Sequence, residues 1–161
     1  MREAGRGAVT IRKGRPSDVA ALTDIEVRCF RSYYLDHRFS AEDFDRLLRD
    51  PRTLTLVAAA RRDVIGYILG HAPVPGHRQS ARIDSVALLK DWRGRGVATR
   101  LVQRFLALSR RRGCRRIHLE VGARNWDART LFTQAQFRPY RRLPGYYGDA
   151  ADAVRLRKVL A

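Results

Sequence analysis

The chain is poor in cysteine, with Cys29 and Cys114 its only two. They are too few for a disulfide framework and too far apart for a Cys-x-x-Cys site, so both are read as small buried residues in a reducing compartment. Four scattered histidines (His37, His71, His77, His118) offer no metal-ligand spacing, and no metal is expected. No apolar run approaches the roughly 20 residues that span a bilayer. The opening residues, MREAGRGAVT, hold no apolar core of a secretion signal, so the expected location is the cytoplasm, with no membrane partner. Lysine is scarce too: of 33 basic residues only Lys13, Lys90 and Lys158 are lysines. That skew reads as a coding bias that raises arginine everywhere and not at one site. At 161 residues the chain is long enough for one domain with a real core and too short for two.

What is present is charge. A net charge of +17 draws acidic ligands, RNA or a ribosomal surface. Clusters stand at Arg110–Arg112 with Arg115–Arg116, and at Arg138 with Arg141–Arg142. No aromatic-interleaved basic motif accompanies them, so a solvated basic face is preferred over a dedicated nucleic-acid site. Ribosome or RNA association stays open, as does the choice between monomer and homodimer.

In order along the chain, a short strand is expected at Ala8–Arg12. Pro16-Ser17-Asp18 then opens a helix through Val19, Leu22, Ile25, Val27 and Cys29, with Ser17 as its N-cap. Ser40 and Asp43 make a near capping box for a second helix, which Pro51 ends. Two strands, Leu54–Ala59 and Val64–Gly70, flank a turn at Arg61-Arg62-Asp63. A strand at Arg116–Val121, a helix over Asn125–Gln134, a strand at Gln136–Tyr140 and a terminal strand from Ala153 to Leu160 complete the chain.

The stretch from Ala81 to Phe105 organises the rest. Ile83, Val86, Leu88 and Leu89 form a strand that stops at Lys90–Asp91. A loop with Gly94 and Gly96 follows, then helical spacing that puts Leu101, Val102, Phe105, Leu106 and Leu108 on one face. Strand, glycine loop and helix together aim backbone N–H groups at an anion, because the first turn of a helix has unpaired donors and a partial positive charge. The two glycines clear the approach, and Arg93 and Arg95 add full charges beside it. No Gly-Lys-Ser/Thr follows, which excludes a Walker loop. A dinucleotide fingerprint would need a third glycine and a later acidic residue.

Arg93-x-x-Gly96-x-Ala98 resembles the Arg/Gln-x-x-Gly-x-Gly/Ala signature of the GNAT superfamily of N-acetyltransferases, and the order of elements resembles that fold over nearly the whole chain. The resemblance implies an α/β fold with a mixed central sheet flanked by helices on both faces, one domain over residues 9–161 behind a disordered leader, 1–8. Within the family the chain is most similar to the bacterial ribosomal-protein alanine N-acetyltransferases and related protein N-terminal acetyltransferases. His118-Leu119-Glu120-Val121-Gly122-Ala123-Arg124-Asn125 resembles their Leu-Glu-Val-Arg-x-x-Asn segment. Pro144-Gly145-Tyr146-Tyr147-Gly148-Asp149 resembles their Tyr-Tyr loop, and Phe30-Arg31-Ser32-Tyr33-Tyr34 their peptide-site loop.

The implied cofactor is acetyl-CoA. By the resemblance Arg93, Gly94, Arg95, Gly96, Val97, Ala98 and Thr99 receive its pyrophosphate. Val86, Ala87 and Leu88 meet the pantetheine and thioester carbonyl, with a backbone N–H near Ala87 or Leu88 as oxyanion donor. Asn125 holds the pantetheine arm and can also cap its helix. Tyr34, Tyr146 and Tyr147 wall the acceptor cleft. Trp92 and Trp126 are expected to pack.

Attack on a thioester needs a neutral amine, and an α-amine, with a pKa of about 7.7–8.0, gives up its proton more easily than a lysine at about 10.4. The resemblance puts the general base at Glu120, acting directly or through one water. Two departures stand out. The family commonly has a tyrosine that protonates the CoA thiolate where this chain has Phe132 among its cofactor-contacting residues. Phenylalanine has no proton to give, which leaves water, Tyr146 or Tyr147 as the acid, and Tyr147 is the catalytic candidate. Gln136 stands where the family usually has glycine.

The leading acceptor is a protein N-terminal α-amine of the ribosomal-protein alanine type. A small amine such as an aminoglycoside or polyamine, an aminoacyl-tRNA, and a catalytically quiet acyl-CoA-binding module remain alternatives. A protein acceptor predicts an open, uncharged cleft walled by tyrosines. A polyamine predicts carboxylates facing the cleft (Asp36, Asp84, Glu120, Asp149 and Asp152 are available), and tRNA predicts a basic groove.

Overall fold

The computed structural model describes residues 7–30, 38–72, 80–148 and 151–160. Strand β1 (Val9–Lys13) leads through a short 3-10 turn, Pro16–Asp18, into α1 (Val19–Cys29) and then α2 (Ala41–Arg49). There follow β2 (Thr53–Ala60), β3 (Asp63–His71), β4 (Ser80–Leu88), α3 (Val97–Arg111), β5 (Arg116–Gly122), α4 (Trp126–Gln134), β6 (Arg138–Leu143) and β7 (Ala153–Val159). The seven strands form one mixed sheet in the order β1-β2-β3-β4-β5-β7-β6. Every neighbouring pair is antiparallel except β4 with β5.

Alternation along the strands sends apolar residues to both faces. Leu22 and Ile25 of α1 and Phe44 and Leu47 of α2 cover Val57, Tyr67, Leu69 and Ala87 on one face. On the other, Leu101, Val102 and Phe105 of α3 with Phe132 of α4 pack on Leu56, Ile68, Ile83, Ile117 and Leu119. Each large side chain removed from water in this way contributes about 1.5–3 kcal/mol. The expected mixed sheet with helices on both faces is what forms.

Local signals decide several boundaries. Ser40 accepts from the Asp43 amide and Asp43 accepts from the Ser40 amide, a full capping box for α2. Ser17 is not a cap: Asp18 takes the Arg15 amide at 2.7 Å and the Arg12 guanidinium at 2.9 Å, so a 3-10 turn forms where the helix was expected to start. Val27, expected on the apolar side of α1, is exposed, and Glu26 takes the buried position. The strand expected at Gln136–Tyr140 begins two residues later. Gln136 has a φ of 67° after the end of α4, the left-handed conformation that suits the glycine usual there. Trp126 does not pack into the core; it is exposed, with the Arg129 guanidinium 4.7 Å from its ring centroid.

The feature that makes the site is a parting in the sheet. β4 and β5 pair only from Ser80–Arg82 to Arg116–His118, then diverge through Leu88 and Gly122. A bulge helps: β3 pairs Leu69 with Ser85 and Gly70 with Ile83, so Asp84 is an extra residue that bends β4. Gly70 permits this, because a Cβ there would stand 2.0 Å from the Arg82 carbonyl oxygen.

Candidate active site

The parted strands open two adjoining cavities that share the walls Phe30, Val86, Asn125 and Ala128. The larger, of about 700 Å³, is walled by Val86, Ala87 and Leu88 on β4, by Arg93, Gly94 and Gly96 in the loop, and by Val97, Ala98 and Thr99 at the start of α3. Nearly all the residues expected around one cofactor therefore meet in one cleft. Gly94 and Gly96 have φ of 74° and 79°, and a Cβ built on either meets nothing within 4 Å. Gly96 is the N-cap of α3 and supplies no side-chain acceptor, so the first-turn amides keep their donors for a ligand. An uncapped helix start, two left-handed glycines and a cleft of this volume fit a diphosphate with a long arm.

Two expected contacts take other positions. Arg93 reaches back, its Nε donating to the Leu88 carbonyl at 2.9 Å, although it still lines the cleft. Arg95 is outside the lining, with its guanidinium 5.8 Å from the Trp92 ring centroid. Cys29 is half-buried, lines the same cleft and lies 3.6 Å from the Leu88 carbonyl, so only Cys114 is the buried small residue expected.

The smaller cavity, of about 110 Å³, brings together Glu120, Asn125, Phe132 and Tyr147. Asn125 Oδ1 accepts from the Ala128 amide at 3.2 Å, so it caps α4 while lining both cavities. Phe132 is buried edge-on against Phe137, with centroids 5.3 Å apart, and lines this cavity and not the larger one. Tyr146 and Tyr147 stack edge-on at 4.8 Å, and Tyr147 faces the cavity. Tyr34, Asp36 and Asp149 lie outside the described residues.

Glu120 is held in a way the sequence did not reveal. Its Oε1 accepts from Arg155 Nε at 2.8 Å and its Oε2 from an Arg82 amino group at 3.0 Å, with its side chain only 3% exposed. Arg82 also donates to Asp84 at 2.7 Å, and Asp84 takes His71 Nδ1 at 2.6 Å. Burial, with the charges of Arg82 and Arg155, pushes the His118 imidazole below its ordinary value. Asp152 is likewise engaged, by Arg142 at 2.8 Å and the Gly145 amide at 2.9 Å. Among the described residues, then, each carboxylate expected to greet a polyamine already has a cation.

A buried chain of polar groups on the cleft floor was also missed. Glu26 accepts from the Phe39 amide at 3.1 Å and from the Tyr67 hydroxyl, whose oxygen lies 2.9 Å from Ser85 Oγ. Burial pushes the Glu26 carboxyl up, against the Tyr67 hydroxyl, the Phe39 amide and Arg38, and burial beside Glu26 raises the Tyr67 phenol well above its ordinary value. The signal was present: Glu26 follows Leu22 by four residues and so shares its buried stripe.

The sheet face beside Glu120 is charged: the register places Arg155 and Arg157 of β7 and Arg141 and Arg138 of β6 on the side of the sheet that Glu120 takes. Among the described residues no group of three His, Cys, Asp or Glu side chains could hold a metal, and no helix is long and apolar enough to cross a membrane.

Comparison with known proteins adds the following. The model of the Acetyltransferase (GNAT) family matches residues 19–137. An N-alpha-acetyltransferase of Saccharolobus solfataricus is 24% identical over 94% of this chain and 93% of its own length. A putative [ribosomal protein bS18]-alanine N-acetyltransferase of Bacillus subtilis is 25% identical over 88% and 89%. Crystal structures of Arabidopsis thaliana NAA60 with a bisubstrate analogue and with acetyl-CoA share the fold, with TM-scores of 0.83 and 0.81. Each is 22% identical and covers 94% of this chain and 98% of that one.

Proposed function

Because the chain belongs to the GNAT family of acetyltransferases, we propose that it moves the acetyl group of acetyl-CoA onto the N-terminal α-amine of a protein. The observation that carries the reading is the parting of β4 from β5, which brings the helix-start cleft and Glu120 into adjoining cavities. Acetyl-CoA supplies the activated carbonyl. The amides at the start of α3 and the loop of Gly94 and Gly96 would seat its phosphates. Val86, Ala87 and Leu88 would flank the arm, with an amide near Ala87 or Leu88 donating to the carbonyl oxygen, and Asn125 would hold the arm from the other side.

Glu120 is the base in this reading. A carboxylate has about four acceptor sites; the arginines take two, which leaves places for an incoming amine or one water. An acceptor that releases its own proton near neutrality asks least of that base, which favours an α-amine over a lysine. Tyr147 faces the same cavity and is the candidate proton donor to the departing thiolate, since Phe132 has none to give. The kinship to enzymes named for N-alpha acetylation and for ribosomal-protein alanine supports the substrate class. The engagement of Asp84 and Asp152 by cations argues against a polyamine.

The arginine-rich sheet face favours one second reading, an aminoacyl-tRNA acceptor. One panel separates the two: thiol release and product mass with a free N-terminal peptide, the same peptide blocked at its N-terminus and carrying a lysine, spermidine, and aminoacyl-tRNA. The reading predicts turnover with the first and an acetyl group on its α-amine. Faster turnover with spermidine, the blocked peptide or aminoacyl-tRNA would overturn it.

A further inference from the structure

Helices α1 and α2 pack over β2, β3 and β4, and among the described residues no helix covers the same face of β5, β7 and β6. Ile117, Leu119, Val154 and Leu156 point into the α3 side of the core. By alternation Arg116, His118, Glu120, Arg155 and Arg157 take the other face, with Glu120 set in the smaller cavity beside Tyr147. The register then builds rows across the strands. Glu120, Arg155 and Arg141 stand side by side, and His118, Arg157 and Arg138 form the next row. Arg138 therefore lies directly opposite Arg157, and Arg141 directly opposite Arg155. Like charges placed so are destabilising, and a bound anion relieves them. Glu120 neutralises Arg155, but among the described residues no carboxylate pairs with Arg116, Arg138, Arg141 or Arg157.

We propose that this face is the track for the acceptor polypeptide beyond its first residue, and that it selects chains with acidic residues there. The proposal rests on the N-terminal reading above and names its substrate class. Strands lie about 4.8 Å apart, and alternate residues of an extended chain about 6.7 Å apart. Carboxylates at alternating positions of an acceptor segment that runs parallel to β6 thus match the step from the Arg141 row to the Arg138 row. Arg141 stands two strands from Glu120, about 10 Å, within reach of roughly the third or fourth acceptor residue. A polypeptide is favoured over single-stranded RNA by what the face lacks among the described residues. RNA needs aromatic faces on which bases stack, and Tyr140, the exposed aromatic of β6, is already covered by the Arg157 guanidinium, 4.8 Å from its ring centroid.

The test compares peptides with one common first residue and Asp/Glu, Asn/Gln or Lys at positions three to six. They are assayed with the full chain and with the double variant Arg138→Glu/Arg141→Glu. Binding of a labelled acidic peptide and of a labelled RNA oligomer is read by anisotropy alongside. The wild type should prefer the acidic over the neutral peptide about five- to tenfold in kcat/KM, mostly through KM and less so at high salt. The double variant should lose or invert that preference while acetylating a short dipeptide at the wild-type rate. Equal kcat/KM for acidic, neutral and basic peptides would overturn the track and leave the N-terminal reading standing. Tighter binding of the RNA oligomer, lost in the double variant, would overturn it in favour of RNA. Acidic-peptide binding lost in the variant, with no peptide turned over by either protein, would support the face and overturn the N-terminal reading instead.

Discussion

Replacing Gly96 by alanine separates two roles of the glycine loop. Gly96 has φ 79° and ψ 7°, and a Cβ there meets no atom within 4 Å, so the substitution brings backbone strain and no clash. The left-handed conformation costs an L-residue about 1–2 kcal/mol. The stiffer unfolded chain returns about 0.4–1 kcal/mol. A net loss near 1 kcal/mol lowers Tm by about 2–4 °C in a chain of this size. The second effect appears with ligand. CoA at a hundred times its Kd stabilises by about 2.7 kcal/mol, which raises the wild-type Tm by about 5–10 °C. On the proposed seating of the phosphate at the α3 amides, a methyl group there would remove at least one charge-assisted hydrogen bond, of about 1.5–3 kcal/mol. At the same CoA concentration the rise should shrink to about half or less. Gly113→Ala is the control: its φ is 82°, its Cβ would also meet nothing, and it lies past the other end of α3. Thermal melts with and without CoA read all of this. Equal CoA-induced shifts in the two variants would refute the loop as the phosphate seat. An unchanged ligand-free Tm in both would refute the strain argument.

Two further outcomes follow from the fold. Gly70→Ala pushes a Cβ into the Arg82 carbonyl at 2.0 Å and Phe105 Cζ at 2.8 Å, so β3 and β4 must separate at the bulge. A loss of about 4 kcal/mol or more, seen as a Tm fall of about 10 °C or as insolubility, is expected, and a soluble variant melting like wild type would disprove the close approach. Burial raises the Glu26 carboxyl, so the native state holds that proton more tightly than the unfolded chain does. Its stabilising contribution is complete below the free-carboxyl value of about 4.3 and is lost as pH rises through the raised one. Glu26→Gln should therefore gain on wild type in Tm between pH 4 and pH 7, and a pH-independent difference would contradict the assignment.

Local chemistry was legible and long-range pairing was not. The capping box at Ser40 and Asp43, the glycine loop and the order of strands and helices each depend on residues close in sequence, and each forms as read. Ser17 failed as a cap because Arg12, on a preceding strand, recruits Asp18 and tightens the turn. The clamp on Glu120 draws Arg82 from β4 and Arg155 from β7, a meeting that only the sheet order brings about. Glu26 was passed over because a carboxylate on an apolar stripe reads as an interruption until Tyr67 and the Phe39 amide stand opposite it. Gln136 shows the reverse case: an odd residue in sequence became a backbone fact, a left-handed turn held with Lys158 at 3.2 Å.

The central claim is that Glu120, where β4 and β5 part, takes the proton of an α-amine attacking acetyl-CoA. Its most direct measurement is kcat/KM for acetyl transfer to an N-terminal peptide, wild type against Glu120→Gln, from pH 6 to pH 9, with CoA affinity measured alongside. The account predicts a wild-type rate that climbs through about pH 7.7–8.0 as the acceptor loses its proton. It predicts a fall of about a hundredfold or more in the variant, with CoA affinity unchanged. A variant that keeps the wild-type rate across that range would contradict it.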